Sequence, residues 1–422
     1  MIDVVSGWFV KASDYMLQNK SVRTAFVATN SICQGEQVNT LWGLLQNKGI
    51  HINFAYTSFP WNNDANGNAA VSCIIVGISY ISTHEPKLFT YDHKRDNLVT
   101  HNCHCISPYL IDCKDPIIIE RRSKAMSCPL NIVFGNKPVD DGHLIFSYEE
   151  YTDIIRAHPE AKPFIKKYVG SEEIMKSSLR YCLWTPNEED FNVLNIIELK
   201  ERAEKISKYR ALSTKPGTVK CASTPWRFTE YATPSNPDTA LLIPIVSSER
   251  RKYVPLAFIK KDTIASAQVH MLPNASYYDF GILMSLMHNV WIKLTSGRLG
   301  LSIRYSRDMT FNTFVWPEVS DEQRDEIDKL AKEILLTRID FETQFTLGEM
   351  YNPENMPDEL KDVHNRLDAA VERAYRDEPF KDDEERLSFL LDLYSKAIAA
   401  EENEQLKAAK PKKKKATAKA ES

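Results

Sequence analysis

Two short blocks carry residue types suited to a planar, hydrogen-bonding ligand: T-N-S-I-C-Q-G-E-Q-V at Thr29–Val38 and T-S-F-P-W-N-N-D-A-N at Thr57–Asn66. Phe59 and Trp61 offer two large aromatic faces, and Asn62, Asn63 and Asn66 offer amides beside them. Stacking a base on such rings while bonding its edge is how an unstacked nucleotide is held. Asn30, in the first block, adds another amide. The competing reading is structural: Phe59 and Trp61 as core aromatics closing a sheet edge, Asn30 and Gln34 as caps for a helix starting at Gly35.

Each block follows an apolar, β-branched run, Val22–Val27 and Ile52–Ala55, so each sits where a buried strand ends. Ligands collect at the carboxyl ends of strands in open α/β sheets. Gly7–Gln18 has helical spacing, with Trp8, Phe9, Ala12, Tyr15 and Met16 expected on one face. Gly35–Gln46 reads as a second helix burying Val38, Leu41, Trp42 and Leu45, and Ala69–Ser79 as a strand returning in a hairpin. The resulting α-β-α-β-β order is that of a partial Rossmann-like sheet. Three strands are fewer than the roughly four to six of a common sheet, so this part requires partner strands.

From about Pro86 the pattern is an irregular α+β one. Strands are expected at Pro116–Ile119, Ile132–Phe134, Leu183–Trp184, Leu241–Pro244 and Val254–Phe258, and helices at Ser147–His158, Leu194–Arg210 and Tyr278–Leu294. After Pro317 the chain turns helical at Asp321–Thr337, Asp358–Arg376 and Asp383–Ala400, each opened by aspartate or proline. The expected division is 1–85, 86–317, 318–403 and a disordered lysine-rich tail, 404–422.

The 422 residues, 43% apolar, suffice for two or three cores. The start lacks the charged and apolar regions of a signal peptide. Eight cysteines at irregular spacing fit reduced thiols, and the chain reads as cytoplasmic, without a membrane span. The net charge of −4 hides an asymmetry: about 35 basic and 30 acidic residues in 1–317, about 11 and 26 in 318–405, seven lysines against one glutamate thereafter. A nucleic-acid contact therefore fits the first three quarters and not the acidic helices.

The two opening blocks resemble the back half of the methyltransferase domain of the MmeI-like enzymes. These are single-chain type II (type IIG/IIL) restriction–modification proteins that methylate adenine N6 in DNA. The resemblance continues in the family's order through I-S-P-Y-L (Ile106–Leu110), F-G-N-K-P (Phe134–Pro138) and V-S-S-E-R-R-K-Y-V-P (Val246–Pro255). It then takes in G-R-L (Gly297–Leu299), R-Y-S (Arg304–Ser306), N-T-F-V-W-P (Asn312–Pro317) and L-D-A-A-V-E-R-A-Y (Leu367–Tyr375). It implies a target-recognition domain after the methyltransferase part, then a helical domain. It implies double-stranded DNA as partner, S-adenosylmethionine as methyl donor, and a target adenine flipped into a pocket lined by Phe59 and Trp61, with Asn30 beside them.

The departures carry equal weight. The glycine-rich S-adenosylmethionine motif and the Asn-Pro-Pro-aromatic tetrapeptide are absent from this sequence; its Asn-Pro pairs, Asn236-Pro237 and Asn352-Pro353, stand in other contexts. The expectation is a chain inactive by itself, completed by an upstream methyltransferase and nuclease polypeptide. The alternatives are a non-catalytic DNA-binding specificity protein and the remnant of an interrupted gene.

Within the expected recognition domain, Arg250, Arg251 and Lys252 are candidates for phosphate contact, or simply a solvated charge run. Arg298, Arg304 and Arg307 are candidates for DNA binding, Arg304 and Arg307 for base edges in particular, since arginine matches guanine O6 and N7 with two donors. Their alternative is ion pairing with the acidic helices. H-N-C-H-C at His101–Cys105, with Cys113 and Cys128, lacks the paired C-x₂-C knuckles of structural zinc, and no metal is expected.

Overall fold

The computed structural model describes residues 4–61, 71–92, 97–232, 238–299 and 302–409. Asn62, Asn63, Asn66, Asn236-Pro237 and the tail from 410 lie outside the described residues. Helix α1 (Val4–Gln18) buries Ser6, Phe9, Ser13 and Met16 and leaves Trp8 and Tyr15 59% and 68% exposed. The expected apolar face is thus shifted by part of a turn. Ser13 can line the buried stripe because its hydroxyl donates to Val10 O at 2.6 Å.

Strand β1 (Arg23–Thr29) leads through a 3₁₀ turn, Asn30–Cys33, into helix α2 (Glu36–Asn47), which buries the four expected residues Val38, Leu41, Trp42 and Leu45. Strands β2 (His51–Trp61) and β3 (Val71–Ser79) form the expected hairpin. Two further strands, β4 (Lys87–Asp92) and β5 (Asn97–Asn102), extend the sheet to the order β1-β3-β2-β4-β5. β2 and β4 are parallel and the other pairs antiparallel. The register sets Thr29 of β1 and Phe59 of β2 on either side of Cys73 of β3. The chemistry-bearing ends of β1 and β2 therefore share one edge of the sheet.

The middle of the chain builds small sheets around helices. One four-stranded sheet joins Thr263–Ala265, Ile165–Val169, Arg180–Leu183 and Ile145–Phe146; another joins Ala257–Lys260, Thr239–Pro244, Val269–Pro273 and Val133–Phe134. A three-stranded sheet of Val246–Ser248, Ser302–Arg304 and Gly297–Leu299 presents the arginine-bearing segment. Pro116–Ile119, expected as a strand, forms none. The neighbouring backbone is satisfied by side chains instead: Ile119 N–H donates to the Tyr109 hydroxyl at 3.0 Å and Glu120 N–H to that of Tyr394 at 3.1 Å.

The expected helix Tyr278–Leu294 is two helices, Tyr277–Met284 and Leu286–Thr295. Ser285 takes an extended conformation between them and caps the second, accepting from His288 N–H. The long C-terminal helices are Asp321–Phe341, Asp358–Tyr375 and Asp383–Ala409, with a short one at Leu347–Met350, so the last runs beyond the expected tail boundary at 404. None of the described helices is long and apolar enough to cross a membrane.

A candidate nucleic-acid cleft between sheet and recognition region

The turn after β1 forms one wall of a cleft of about 520 Å³. Ser31, Gln34 and Glu36 line it from the sheet side; Arg298, Arg304 and Arg307 line it from the other. The turn is tied to the buried face of α2, where Trp42 Nε1 donates to Ile32 O at 2.8 Å. Gly35 has φ +56°, and a Cβ there would lie 3.2 Å from Gly297 Cα. Only glycine permits both that backbone conformation and that approach.

Gln34 caps nothing. Its Oε1 accepts from Arg298 Nε at 2.8 Å, tying the turn to the arginine-bearing sheet. Asn30 does not cap either; its Nδ2 donates to Ser58 Oγ of β2 at 3.0 Å, while Gly35 serves as N-cap without a side chain. A second link crosses the cleft through charges. Glu36 faces Arg121 at 3.3 Å, Arg121 Nη2 donates to Asp308 Oδ2 at 2.8 Å, and Arg307 Nε donates to Asp308 Oδ1 at 2.7 Å. Burial pushes the Asp308 carboxyl up, but the hydrogen bonds from Arg307 and Arg121 outweigh it and hold it below the usual aspartate range.

Phe59 and Trp61 stand with ring centroids 6.4 Å apart, Trp61 being 52% exposed and Phe59 half-buried. Neither they nor Asn30 line the cleft, although Ser31, next to Asn30, does. Of the cationic candidates, Arg298, Arg304 and Arg307 line it and Arg250, Arg251 and Lys252 do not. Arg250 pairs with Glu354, Arg251 Nη2 donates to Gly348 O at 3.1 Å, and Lys252 lies 3.7 Å from Asp368. That run is neither free in solvent nor in the cleft; it faces the C-terminal segment. Arg307 pairs with Asp308 rather than with the acidic helices.

Sequence reasoning missed Arg121, Phe134 and Asp308. Phe134 stood inside the F-G-N-K-P block, and its partial exposure of 49% had no sequence signal. Cys105 and Cys113 face each other on a two-residue ladder, and no group of three metal-ligating side chains occurs among the described residues.

S-adenosylmethionine does not fit the strand-end turn described here. Its side chains are already engaged, Thr29 Oγ1 with Ser31 Oγ at 2.8 Å and Asn30 with Ser58, and its one glycine packs against Gly297.

Residues 1–90 match the family model for the MmeI DNA-methyltransferase domain, 113–318 that for the MmeI target recognition domain, and 319–400 that for the MmeI C-terminal domain. The chain is 43% identical over 395 residues to DNA methyltransferase A of Bacillus subtilis (strain 168), a match covering 93% of this chain and 44% of that protein. The structure superposes on the type IIL restriction-modification enzyme MmeI, solved in complex with DNA, with a TM-score of 0.84 and 35% identity. That match covers 94% of this chain and 53% of the other, so the chain spans about half the length of these relatives.

Proposed function

The chain belongs to the MmeI family, and from that premise we propose that it recognises a sequence in double-stranded DNA and supplies part of the base pocket of an adenine-N6 methyltransferase. The observation that carries this reading is the cleft itself, where a methyltransferase-type turn meets an arginine-bearing strand. Duplex DNA would lie along the arginine wall, with Arg298, Arg304 and Arg307 toward it. A flipped adenine would enter toward the strand ends, where Phe59 and Trp61 offer faces for stacking and Asn30 an amide.

The donor S-adenosylmethionine and the catalytic tetrapeptide belong, in this proposal, to an upstream methyltransferase and nuclease polypeptide. Arg250, Arg251 and Lys252, candidates for phosphate contact or a solvated charge run, are assigned instead to holding the recognition region against the C-terminal helices. The protein is proposed to act in the cytoplasm, in keeping with eight free cysteines.

The test is co-expression with the upstream polypeptide and measurement of methyl transfer from labelled cofactor to duplex DNA. Transfer by the pair, lowered by Trp61→Ala and absent from either part alone, is the expected result. Specific DNA binding without transfer by the pair would favour the alternative, a non-catalytic specificity protein. Neither binding nor transfer would mark the remnant of an interrupted gene.

A further inference from the structure

Arg304 and Arg307 lie three residues apart on the same cleft wall, yet they are held differently. Arg304 is exposed and has no side-chain partner among the described residues. Arg307 is fixed on two sides: its Nε is bonded to Asp308, and its guanidinium carbon lies 5.1 Å from the centre of the Phe134 ring.

Both supports are themselves braced. Asp308 is held from its other oxygen by Arg121, which also faces Glu36 on α2. Phe134 rests on a column of rings, with His270 at 4.8 Å, Tyr305 5.8 Å beyond it and His288 5.9 Å further. His270, Tyr305 and His288 are buried, and the Tyr305 hydroxyl meets His288 Nε2 at 3.2 Å. Burial pushes His270 down to about 4, so the ring beneath Phe134 is neutral at ordinary pH.

An arginine held at Nε and along one face keeps its two terminal nitrogens as a fixed pair of parallel donors. Among the described residues neither terminal nitrogen of Arg307 has a partner, and the side chain is 33% exposed. A fixed donor pair matches a fixed acceptor pair: O6 and N7 of guanine, or two phosphate oxygens. Phosphate tolerates a mobile cation such as the unbraced Arg304. Bracing from two directions serves base discrimination, where a misplaced donor costs specificity.

We propose that Arg307 is a preorganised guanine reader, that Asp308 and Phe134 are the positioning residues that aim it, and that the recognised site contains a G·C pair at the corresponding position. This rests on the DNA-recognition reading above.

The experiment selects from a pool of randomised duplexes with the full chain, wild type against Arg307→Ala, Asp308→Asn, Phe134→Ala and Phe134→Tyr, each checked for folding by thermal melting. The wild type is expected to enrich a motif containing an invariant guanine. Arg307→Ala should lose preference at that position by roughly 5- to 150-fold. Asp308→Asn and Phe134→Ala should lose a smaller part at the same position, and Phe134→Tyr should retain it. The salt slope of binding should stay constant across the set, whereas loss of a phosphate contact would flatten it by about 0.9.

Uniform weakening on all sequences, a flattened slope, or an unchanged motif in Asp308→Asn and Phe134→Ala overturns the inference and leaves DNA recognition standing. A pool bound without any preference overturns the recognition reading, and the inference with it. Should Asp308→Asn unfold, the half-exposed Phe134 carries the same test alone.

Discussion

The recognition region has two seams, and they are built on opposite plans. Toward the C-terminal helices it is closed by a buried polar network. Arg338 donates to Leu256 O at 2.7 Å and to the Tyr351 hydroxyl at 2.9 Å, and that hydroxyl meets His364 Nε2 at 2.7 Å. Asp368 accepts from the Tyr253 hydroxyl at 2.6 Å and from Leu286 N–H at 2.7 Å. Toward the methyltransferase sheet it is open, crossed by the Gln34–Arg298 bond and the Glu36–Arg121–Asp308 chain over the cleft. Buried charges held by hydrogen bonds hold a frame together, while charges left at an open wall are available to a ligand. The acidic C-terminal segment thus closes the frame, and in the proposed function the cationic surface that meets DNA is the small one in the cleft.

The contrast predicts which substitutions unfold the chain and which leave it folded. The largest effect belongs to the closed seam: Arg338→Ala removes the donors to the Leu256 carbonyl and the Tyr351 hydroxyl and leaves a cavity, and should cost roughly 3–5 kcal/mol in a denaturant titration. A loss below 1 kcal/mol would break the comparison. Asp368 gives the same seam a pH signature, because burial pushes its carboxyl up to about 6. The folded chain therefore holds that proton more tightly than the unfolded chain does. The stability it contributes is complete below about pH 4 and is lost as pH rises through about 6, by roughly 2–3 kcal/mol. Denaturation midpoints from pH 4 to 7 should show this fall in the wild type and a flatter profile in Asp368→Asn.

Smaller still are effects at the open wall. Arg304→Ala should leave the melting behaviour within about 0.5 kcal/mol of wild type and act on DNA binding instead. Loss of a base contact would relax one position by roughly 1–3 kcal/mol, and loss of a phosphate contact would weaken all sequences equally. The smallest expected change is that of Arg250→Ala, whose exposed pair with Glu354 contributes about 0–1 kcal/mol. It should leave the salt slope of DNA binding untouched.

The sequence was most legible where one period dominates. The helices opening at Asp321, Asp358 and Asp383, and α2 with its Val38, Leu41, Trp42 and Leu45 face, stand where their spacing places them. The strand end before Asn30 and the strand carrying Phe59 were legible from the apolar, β-branched runs that lead into them. β4 and β5 were not, since six-residue strands with polar ends carry little periodic signal and β4 depends on its parallel partner β2. The break at Ser285 was hidden because both flanking helices are buried on most sides and show no single apolar stripe. The site itself was half legible: Arg298, Arg304 and Arg307 could be singled out by type and spacing. Their supports could not, because Arg121, Phe134 and Asp308 meet only through tertiary packing across more than 170 residues of chain.

The most direct measurement compares duplex binding by Arg304→Ala with that by the double variant Arg250→Ala/Lys252→Ala, using the full chain over a range of salt concentrations. A cleft that grips DNA predicts a weakened or less selective Arg304→Ala and a double variant that binds as the wild type does. The opposite ranking, with binding lost at residues 250 and 252 and intact at 304, would contradict the account.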